Sequence, residues 1–229
     1  MLKIQQKGEF MNLFFNALKE CILFKNIDNK NLNSILHCLN VRRKIFTKGQ
    51  IVFAEGDPAT HLGIVISGCV QIVREDYYGN RSVMAKLGES EVFGEVFAYA
   101  NIKAMPVNVI ACENTEVILI DSKKLTSTCA NACSFHNNMI YNLLEIIAAK
   151  NLAFNRKLEV ICKRTTREKL MTYLLLQAKE MGSNTFTIPY NRQELADYLD
   201  VDRSGLSSEI SKLRNEKIIL CNKSTFTIL

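Results

Sequence analysis

Long apolar runs are absent from this 229-residue sequence. No stretch reaches the roughly 18 residues that suggest a membrane-spanning helix, and charged residues interrupt the N-terminal segment MLKIQQKGEFMNLFFNALKE every few positions. That segment also lacks the apolar core and the small-residue cleavage site of a signal peptide. The sequence therefore predicts a cytoplasmic protein with no membrane partner, and its 48% apolar content is sufficient for a packed core.

The sequence also lacks the character of a disulfide-rich secreted scaffold, which would be shorter and poorer in lysine and glutamate. Most of its eight cysteines are therefore expected to be small buried apolar residues. The cysteines to which this expectation applies are Cys38, Cys69, Cys112, Cys162 and Cys221.

The segment CANACSFH invites a second interpretation of its cysteines. On a helix, Cys129 and Cys133 would share a face, and His136 would follow one turn later. Such a trio could bind zinc or haem iron, or its cysteines could form a redox pair. Core packing is the more common role of cysteines at this spacing, so no metal site is assigned.

Arginine is missing from GEVFAYANIKAMPVNVIA, residues 94–111, so this segment has no guanidinium with which to hold a phosphate. Positive charge is concentrated further along the chain. From Lys150 onward, 14 lysines and arginines face 9 acidic residues, whereas 15 face 14 in the preceding part. A basic last third fits a module that faces nucleic acid.

The first 134 residues read as two short helices followed by many short strands. After about residue 40, β-branched runs such as IVFAEG and GIVISG alternate with glycines at turn-like intervals. YYGNRS is a hairpin-turn signal between two such runs. Strands of this length and spacing predict a closed β-roll.

Residues 135–163 are predicted to form one long helix with an apolar residue at every third or fourth position. This heptad stripe is typical of a parallel helix pair, and one buried asparagine in it would fix the register. A homodimer is therefore predicted, although such a stripe could instead pack against the chain's own β-roll. The predicted dimer interface comprises Ile140, Leu144, Ile147, Asn151, Phe154 and Leu158.

Residues 164–229 are predicted to form a small winged helix-turn-helix domain. NRQELADYLDV and DRSGLSSEISKLRNE read as two helices joined by a tight turn, and IILCNKSTFTIL reads as a hairpin. The second helix has one apolar and one polar face, as expected of a helix that reads the major groove. Asp202 is placed to cap this helix. The candidate DNA-binding residues are Arg192, Gln193, Arg203, Ser204, Ser207, Ser208 and Lys212.

Nearly the whole chain resembles the cyclic AMP receptor and Fnr (Crp/Fnr) family of bacterial transcription regulators. KGQIVFAEGDPATHLGIVISGCVQIV is similar to that family's β-roll, and RQELADYLDVDRSGLSS to its helix-turn-helix. The resemblance implies an α+β chain with a cyclic-nucleotide-binding-like β-roll, a dimerisation helix and a winged helix-turn-helix. It also implies a homodimer on a two-fold-symmetric double-stranded DNA site, with RNA polymerase as a further partner and a small-molecule effector in the roll.

The effector pocket implied by the resemblance departs from the pattern of members that bind cyclic nucleotides. Its residues would be Gly94, Glu95, Val96, Met105, Pro106 and Val107. Where those members carry an arginine for the cyclic phosphate, this chain has Met105, and no hydroxyl side chain lies near Ala153 and Phe154. Because an uncompensated buried anion is costly, cyclic AMP is an unlikely effector, and no cofactor is predicted.

Other departures concern sensing and base preference. The N-terminal cysteine cluster that holds an iron–sulfur centre in Fnr-type members is missing here. In the second DNA-binding helix, Ser208 falls near an arginine common in the family, so base preference is expected to differ. The predicted function is therefore a sequence-specific, effector-controlled transcription regulator.

Parts of the sequence suggest three other functions. One is a redox-, metal- or haem-sensing regulator of the same fold that uses Cys129, Cys133 and His136. Another is a ligand-binding module that does not bind DNA, which would leave the helix-turn-helix unexplained. The third is an enzyme with Cys133 as nucleophile and His136 as base, which the sequence disfavours because no orienting group or oxyanion loop is evident.

Overall fold

A computed structural model describes residues 14–127 and 134–229. Residues 14–20 are helical, and a 3₁₀ helix follows at Ile22–Phe24. The remaining helices are α1 Asn29–Cys38, α2 Glu95–Tyr99, α3 Ser122–Thr126, α4 Ser134–Ile161, α5 Thr166–Met181, α6 Arg192–Leu199 and α7 Arg203–Asn215.

The described strands form three antiparallel sheets. Two four-stranded sheets, in the orders β1-β8-β3-β6 and β2-β7-β4-β5, make the β-roll, and a three-stranded sheet, in the order β10-β11-β9, belongs to the C-terminal part. The strands are β1 Arg42–Phe46, β2 Ile51–Phe53, β3 His61–Ser67, β4 Val70–Glu75, β5 Arg81–Leu87, β6 Val92–Phe93, β7 Asn108–Ala111, β8 Thr115–Asp121, β9 Thr185–Thr187, β10 Ile219–Asn222 and β11 Thr225–Ile228.

The two sheets of the β-roll enclose an apolar core that leaves little room for polar groups. Phe93 is fully buried in it, together with Met105 and Val107. Gly63 faces the Phe93 ring so closely that a Cβ at Gly63 would lie 2.1 Å from the ring. Successive side chains of β3 and β8 point to opposite faces and are buried on both, one set in this core and the other against the early helices.

The chain divides into two compact units whose borders differ from the three predicted segments. One unit comprises residues 1–74 and 85–150, and the other comprises residues 75–84 and 151–229. The long helix α4 and the hairpin between β4 and β5 thus contribute residues to both. A second apolar core in the first unit joins the early helices to β3, β8 and the start of α4, through residues such as Leu62, Ile118 and Met139.

Local hydrogen bonds explain where the helices of the second unit begin. Thr165 caps α5 by accepting from the Glu168 amide, while the Glu168 carboxylate accepts from the Thr165 amide. Asn191 and Glu194 repeat this reciprocal arrangement at α6. Asp202 accepts from the Gly205 amide at 2.8 Å and begins α7. The predicted cap at Asp202 is confirmed.

The expectation that five cysteines are buried is wrong. Cys38 and Cys162 are exposed, and Cys69, Cys112 and Cys221 are half-buried. They lie at helix ends and in or beside turns and hairpins, where a small side chain is not enclosed on all sides. Cys21, for which no expectation was stated, is fully buried among the early helices.

Candidate functional site

The carboxylate of Glu95 lies at the start of the short helix α2 and is almost completely buried, with 1% of its side chain exposed. Gly94, in the left-handed region at φ 80°, turns the chain into this helix. Nζ of Lys150, from α4, lies 2.7 Å from Glu95 Oε1. Lys150 also donates to the carbonyl oxygen of Val92. The carboxylate is therefore neutralised from within the first unit.

The ion pair does not saturate the Glu95 carboxylate. Its two oxygens receive no well-directed hydrogen bond from the described residues, although the Lys150 ammonium is within ion-pairing distance. Coulomb attraction at this distance in a poorly solvated place is nonetheless strong. Glu95 thus has Lys150 as its counterion, and its carboxylate oxygens can still accept hydrogen bonds.

Lys150 belongs to a stripe of α4 that sequence reasoning missed. Met139, Leu143 and Ile146 pack into the core at spacings of four and three residues, and Lys150 continues the same spacing. Lys157 follows seven residues later, so it lies on the same helix face. The sequence did contain a signal for this arrangement, because the core-facing stripe of α4 changes from apolar residues to lysines.

Lys157 is buried in the second unit, with 6% of its surface exposed. It donates to the carbonyl oxygen of Val83, and its ammonium lies 4.6 Å from the centre of the Tyr198 ring. Burial lowers the pKa of Lys157 to about 8, while the nearby charge of Asp200 acts in the opposite direction. The lysine therefore connects strand β5 to the first helix of the helix-turn-helix within this unit.

The six predicted effector-pocket residues occupy three different environments. Met105 and Val107 are part of the apolar core of the roll. Glu95 is buried against Lys150, whereas Val96 and Pro106 are exposed. A Cβ on Gly94 would come within 3.0 Å of the Phe53 ring, so the turn is closely packed. The structure therefore does not bring all six side chains to one common surface.

The six residues of the predicted dimer interface lie along one face of α4. Leu144 is 60% exposed, Phe154 is 49% exposed and Leu158 is 37% exposed. Asn151 accepts from the Asn155 side chain at 3.1 Å. Ile147 is partly buried against the early-helix core, and Ile140 is half-buried. The chain's own core thus covers the neighbouring stripe of α4 and leaves most of this heptad stripe exposed.

Helices α6 and α7 form the predicted helix-turn-helix. Leu206, Ile210 and Leu213 are buried, which fixes the inner face of α7. Asp200, at φ 54°, ends α6 in the left-handed conformation, and its carbonyl oxygen accepts from Lys169 at 3.0 Å. The short turn and the two caps therefore determine which side of α7 faces outward.

The outward face of α7 carries most of the predicted DNA-binding side chains. Arg203, Ser204, Ser208 and Lys212 are exposed, and Ser207 is half-buried. The Arg203 side chain makes no hydrogen bond or ion pair to any residue in the described part of the chain. Its guanidinium at the beginning of α7 is therefore available to a base edge or a phosphate.

Several predicted DNA-binding side chains are engaged within the domain. Ser204 donates to Asp202, and this hydrogen bond, with that of the Gly205 amide, lowers the pKa of Asp202. Lys212 lies 3.4 Å from Glu209. The remaining two predicted residues are on α6. Gln193 donates to Asp197 at 2.7 Å, and Arg192 lies against Phe226 and Cys221 of the terminal hairpin.

The proposed cysteine–histidine trio lies only partly within the described residues. Cys129 and Cys133 are outside them. His136 is buried, and its Nδ1 has no hydrogen-bond partner among the described side chains. Within residues 14–127 and 134–229, no three His, Cys, Asp or Glu side chains are grouped so that they could hold a metal ion. In the same ranges, no helix has both the length and the apolarity needed to cross a membrane.

Two family models match separate parts of the chain. A cyclic nucleotide-binding domain matches residues 43–132, which contain the β-roll and Glu95. A Crp-like helix-turn-helix domain matches residues 168–229, which contain α6, α7 and the terminal hairpin. The two models therefore describe an effector-type domain followed by a DNA-binding domain.

Several relatives align over most of the chain. The global nitrogen regulator of Synechococcus elongatus is 21% identical over 199 residues, covering 80% of this chain and 83% of its own. A CRP-like cAMP-activated global transcriptional regulator of Mycobacterium tuberculosis is 25% identical, covering 72% and 74%. The solved structure of the c-di-GMP-responsive global regulator CLP of Xanthomonas campestris has a TM-score of 0.72 at 20% identity, covering 88% and 99%. That last similarity concerns the fold.

Proposed function

Because the chain belongs to the Crp/Fnr family of DNA-binding transcription regulators, we propose that it acts as a homodimer on a two-fold-symmetric, sequence-specific DNA site. It is a regulator rather than an enzyme. The observation that carries the proposal is that the chain has two exposed surfaces suited to these roles. One is the polar face of α7, and the other is the apolar heptad stripe of α4.

The heptad stripe supports the dimer. Leu144, Phe154 and Leu158 expose large apolar surfaces along one helix face, which is unfavourable for a lone chain in water. A second copy of α4 packed in parallel would cover them at 3.5-residue spacing and would pair the two Asn151 side chains. Each α7 would then belong to one half-site of the DNA, because a two-fold dimer reads a palindromic site.

The dimer is testable by sedimentation equilibrium. Leu144→Glu places a charge in the stripe and is expected to weaken self-association by at least tenfold. Leu152→Glu is the matched control, because Leu152 is 61% exposed on the same helix but outside the stripe. Unchanged association of Leu144→Glu, or equal weakening by both variants, would contradict the proposed interface.

DNA reading is assigned to the beginning of α7. We expect Arg203→Ala to cost about 1–3 kcal/mol per half-site in discrimination against the wrong base. The assay is fluorescence-anisotropy titration against a site selected from random DNA and against a scrambled duplex, at several salt concentrations. Arg214→Ala, an exposed arginine in the last turn of α7, is the matched control and should weaken both duplexes equally. An unchanged specificity ratio in Arg203→Ala would refute the assignment.

For the effector, we propose a ligand less charged than cyclic AMP, or none. Met105 is packed in the apolar core where a phosphate counterion would be needed, and Glu95 is already paired with Lys150. Neither residue offers a new positive charge to a phosphate. Titration calorimetry with cyclic AMP, cyclic GMP and c-di-GMP is expected to show no saturable heat. Saturable binding of any of these three nucleotides to the wild-type chain would contradict this proposal.

A further inference from the structure

Cys69 and Cys112 are direct neighbours across two strands of the β-roll. Strands β4 and β7 are antiparallel with Val70 opposite Ala111, so the next residues outward, Cys69 and Cys112, form the following pair. The Cys112 amide donates to the Cys69 carbonyl oxygen at 2.9 Å, which shows that the pairing continues to this position. Opposed residues project their side chains to the same face of a sheet. The two thiols lie within hydrogen-bonding reach of each other.

Two interlocked turns hold this pair in place. Gly68, at φ 80°, brings the β3–β4 turn so close to the β7–β8 turn that a Cβ would lie 2.6 Å from the Asn114 carbonyl oxygen. The Thr115 hydroxyl accepts from the Cys69 amide at 3.2 Å and lies 2.9 Å from the Cys69 carbonyl oxygen as a donor. The same hydroxyl lies 3.0 Å from the Glu113 carbonyl oxygen. The backbone around both cysteines is thus fixed by contacts independent of the thiols.

Such a pair has the separation that a disulfide requires. Opposed Cα atoms in an antiparallel pair are about 4.5–5.5 Å apart, which lies inside the range of about 4.4–6.8 Å found for disulfide-linked residues. Both side chains are half-buried, so a small reagent can reach them from solvent. Closure of the bond therefore needs side-chain rotation rather than movement of the strands.

We propose that Cys69 and Cys112 are a redox-modification site that forms a reversible intramolecular disulfide by exchange with a low-molecular-weight disulfide. One thiolate attacks the small disulfide and releases the first small thiol. The other thiolate then attacks the protein sulfur of this mixed disulfide and releases the second. Two protein thiols and one small disulfide thus become one protein disulfide and two small thiols, with no other oxidant.

The environment of Cys69 affects the reactivity of its thiol. Burial raises the pKa of the Cys69 thiol, and the Glu113 carboxylate acts in the same direction. Contact with Cys112 and the charge of Lys86 partly oppose this shift. Because the thiolate is the attacking species, a raised pKa reduces the thiolate fraction of Cys69 at a given pH and slows its attack on a small disulfide.

Peptide mapping of the wild-type chain tests the site directly. The protein is equilibrated in oxidised and reduced glutathione at several ratios, quenched in acid, alkylated and digested for mass spectrometry. We expect a linked peptide pair containing Cys69 and Cys112, about 2 Da lighter than the two reduced peptides, which reduction reverses. Full alkylation of both cysteines at every ratio would overturn the proposal, as would linkage of either one to a different cysteine.

Single variants provide a second readout. In Cys112→Ser, Cys69 should stop at the glutathione mixed disulfide, because the resolving thiol is missing. Cys162→Ser is the matched control, since Cys162 is exposed in the other unit, and it should leave the Cys69–Cys112 link unchanged. Loss of the link in Cys162→Ser would show that the linked pair was misassigned and would overturn the proposal.

Discussion

Lys150→Met removes the ammonium group that faces the buried Glu95 carboxylate. The carboxylate would then remain 1% exposed with no opposite charge within ion-pairing distance among the described residues. Removal of one partner of a buried ion pair typically costs about 3–5 kcal/mol, because the other charge stays buried. Since Lys150 itself is 28% exposed, water screens part of the interaction. We therefore expect a loss of about 2–4 kcal/mol in the free energy of unfolding of the first unit.

The assay must resolve one unit of the chain and cannot use tryptophan fluorescence, because the sequence contains no tryptophan. Hydrogen exchange as a function of urea, read by mass spectrometry of peptides covering β6 and α2, measures the opening of that region. Lys25→Met is the matched control. Lys25 lies 3.1 Å from Glu145 in the same unit, but both side chains are substantially exposed, so its loss should cost at most about 1 kcal/mol.

The double variant separates the buried charge from the loss of packing. If the cost arises from the unpaired carboxylate, Glu95→Met combined with Lys150→Met should recover stability to within about 1 kcal/mol of the wild type. Equal costs for Lys150→Met and Lys25→Met would refute the reasoning. A double variant no more stable than Lys150→Met would refute it as well.

Further predictions concern other parts of the structure. Lys157 has a pKa of about 8 in the folded chain, whereas the ordinary lysine value of 10.5 applies to the unfolded chain. Between pH 8 and 10.5 the unfolded chain therefore binds more protons than the folded one. Stability should therefore rise by about 1–3 kcal/mol from pH 8 to 10.5 relative to Lys157→Met, and parallel urea-midpoint profiles would contradict this. Gly63→Ala should cost about 1–3 kcal/mol by displacing Phe93, and an unchanged melting temperature would contradict the close packing. Thr165→Ala should cost about 1 kcal/mol in the second unit, measured by urea unfolding, whereas the exposed Thr187→Ala should cost less.

Features set by neighbouring residues were predictable from the sequence. The cap at Asp202, the helix-turn-helix and the alternation of strands and glycines all depend on short-range patterns, and the fold class is confirmed. The heptad periodicity also gave the correct helix. Its bounds, Ser134–Ile161, differ from the predicted 135–163 by one or two residues at each end.

Features set by distant residues were not predictable in the same way. Glu95 and Lys150 are 55 positions apart in the sequence, and only the folded β-roll brings them together. The five-residue helix α2 is too short to show a helical period, so the sequence pattern did not predict it. The general tendency of cysteine to be buried likewise did not predict the exposure of these five residues. The position of each cysteine in a turn or at a helix end outweighs its residue type.

The buried pair of Glu95 and Lys150 limits how this chain can diverge. A substitution at either position alone leaves one buried charge, whereas paired replacement by apolar residues removes both charges together. Related sequences should therefore replace both residues together, or carry a different complementary pair at the two positions. Aligned orthologues would reveal this as strong covariation between two positions that no local sequence motif connects.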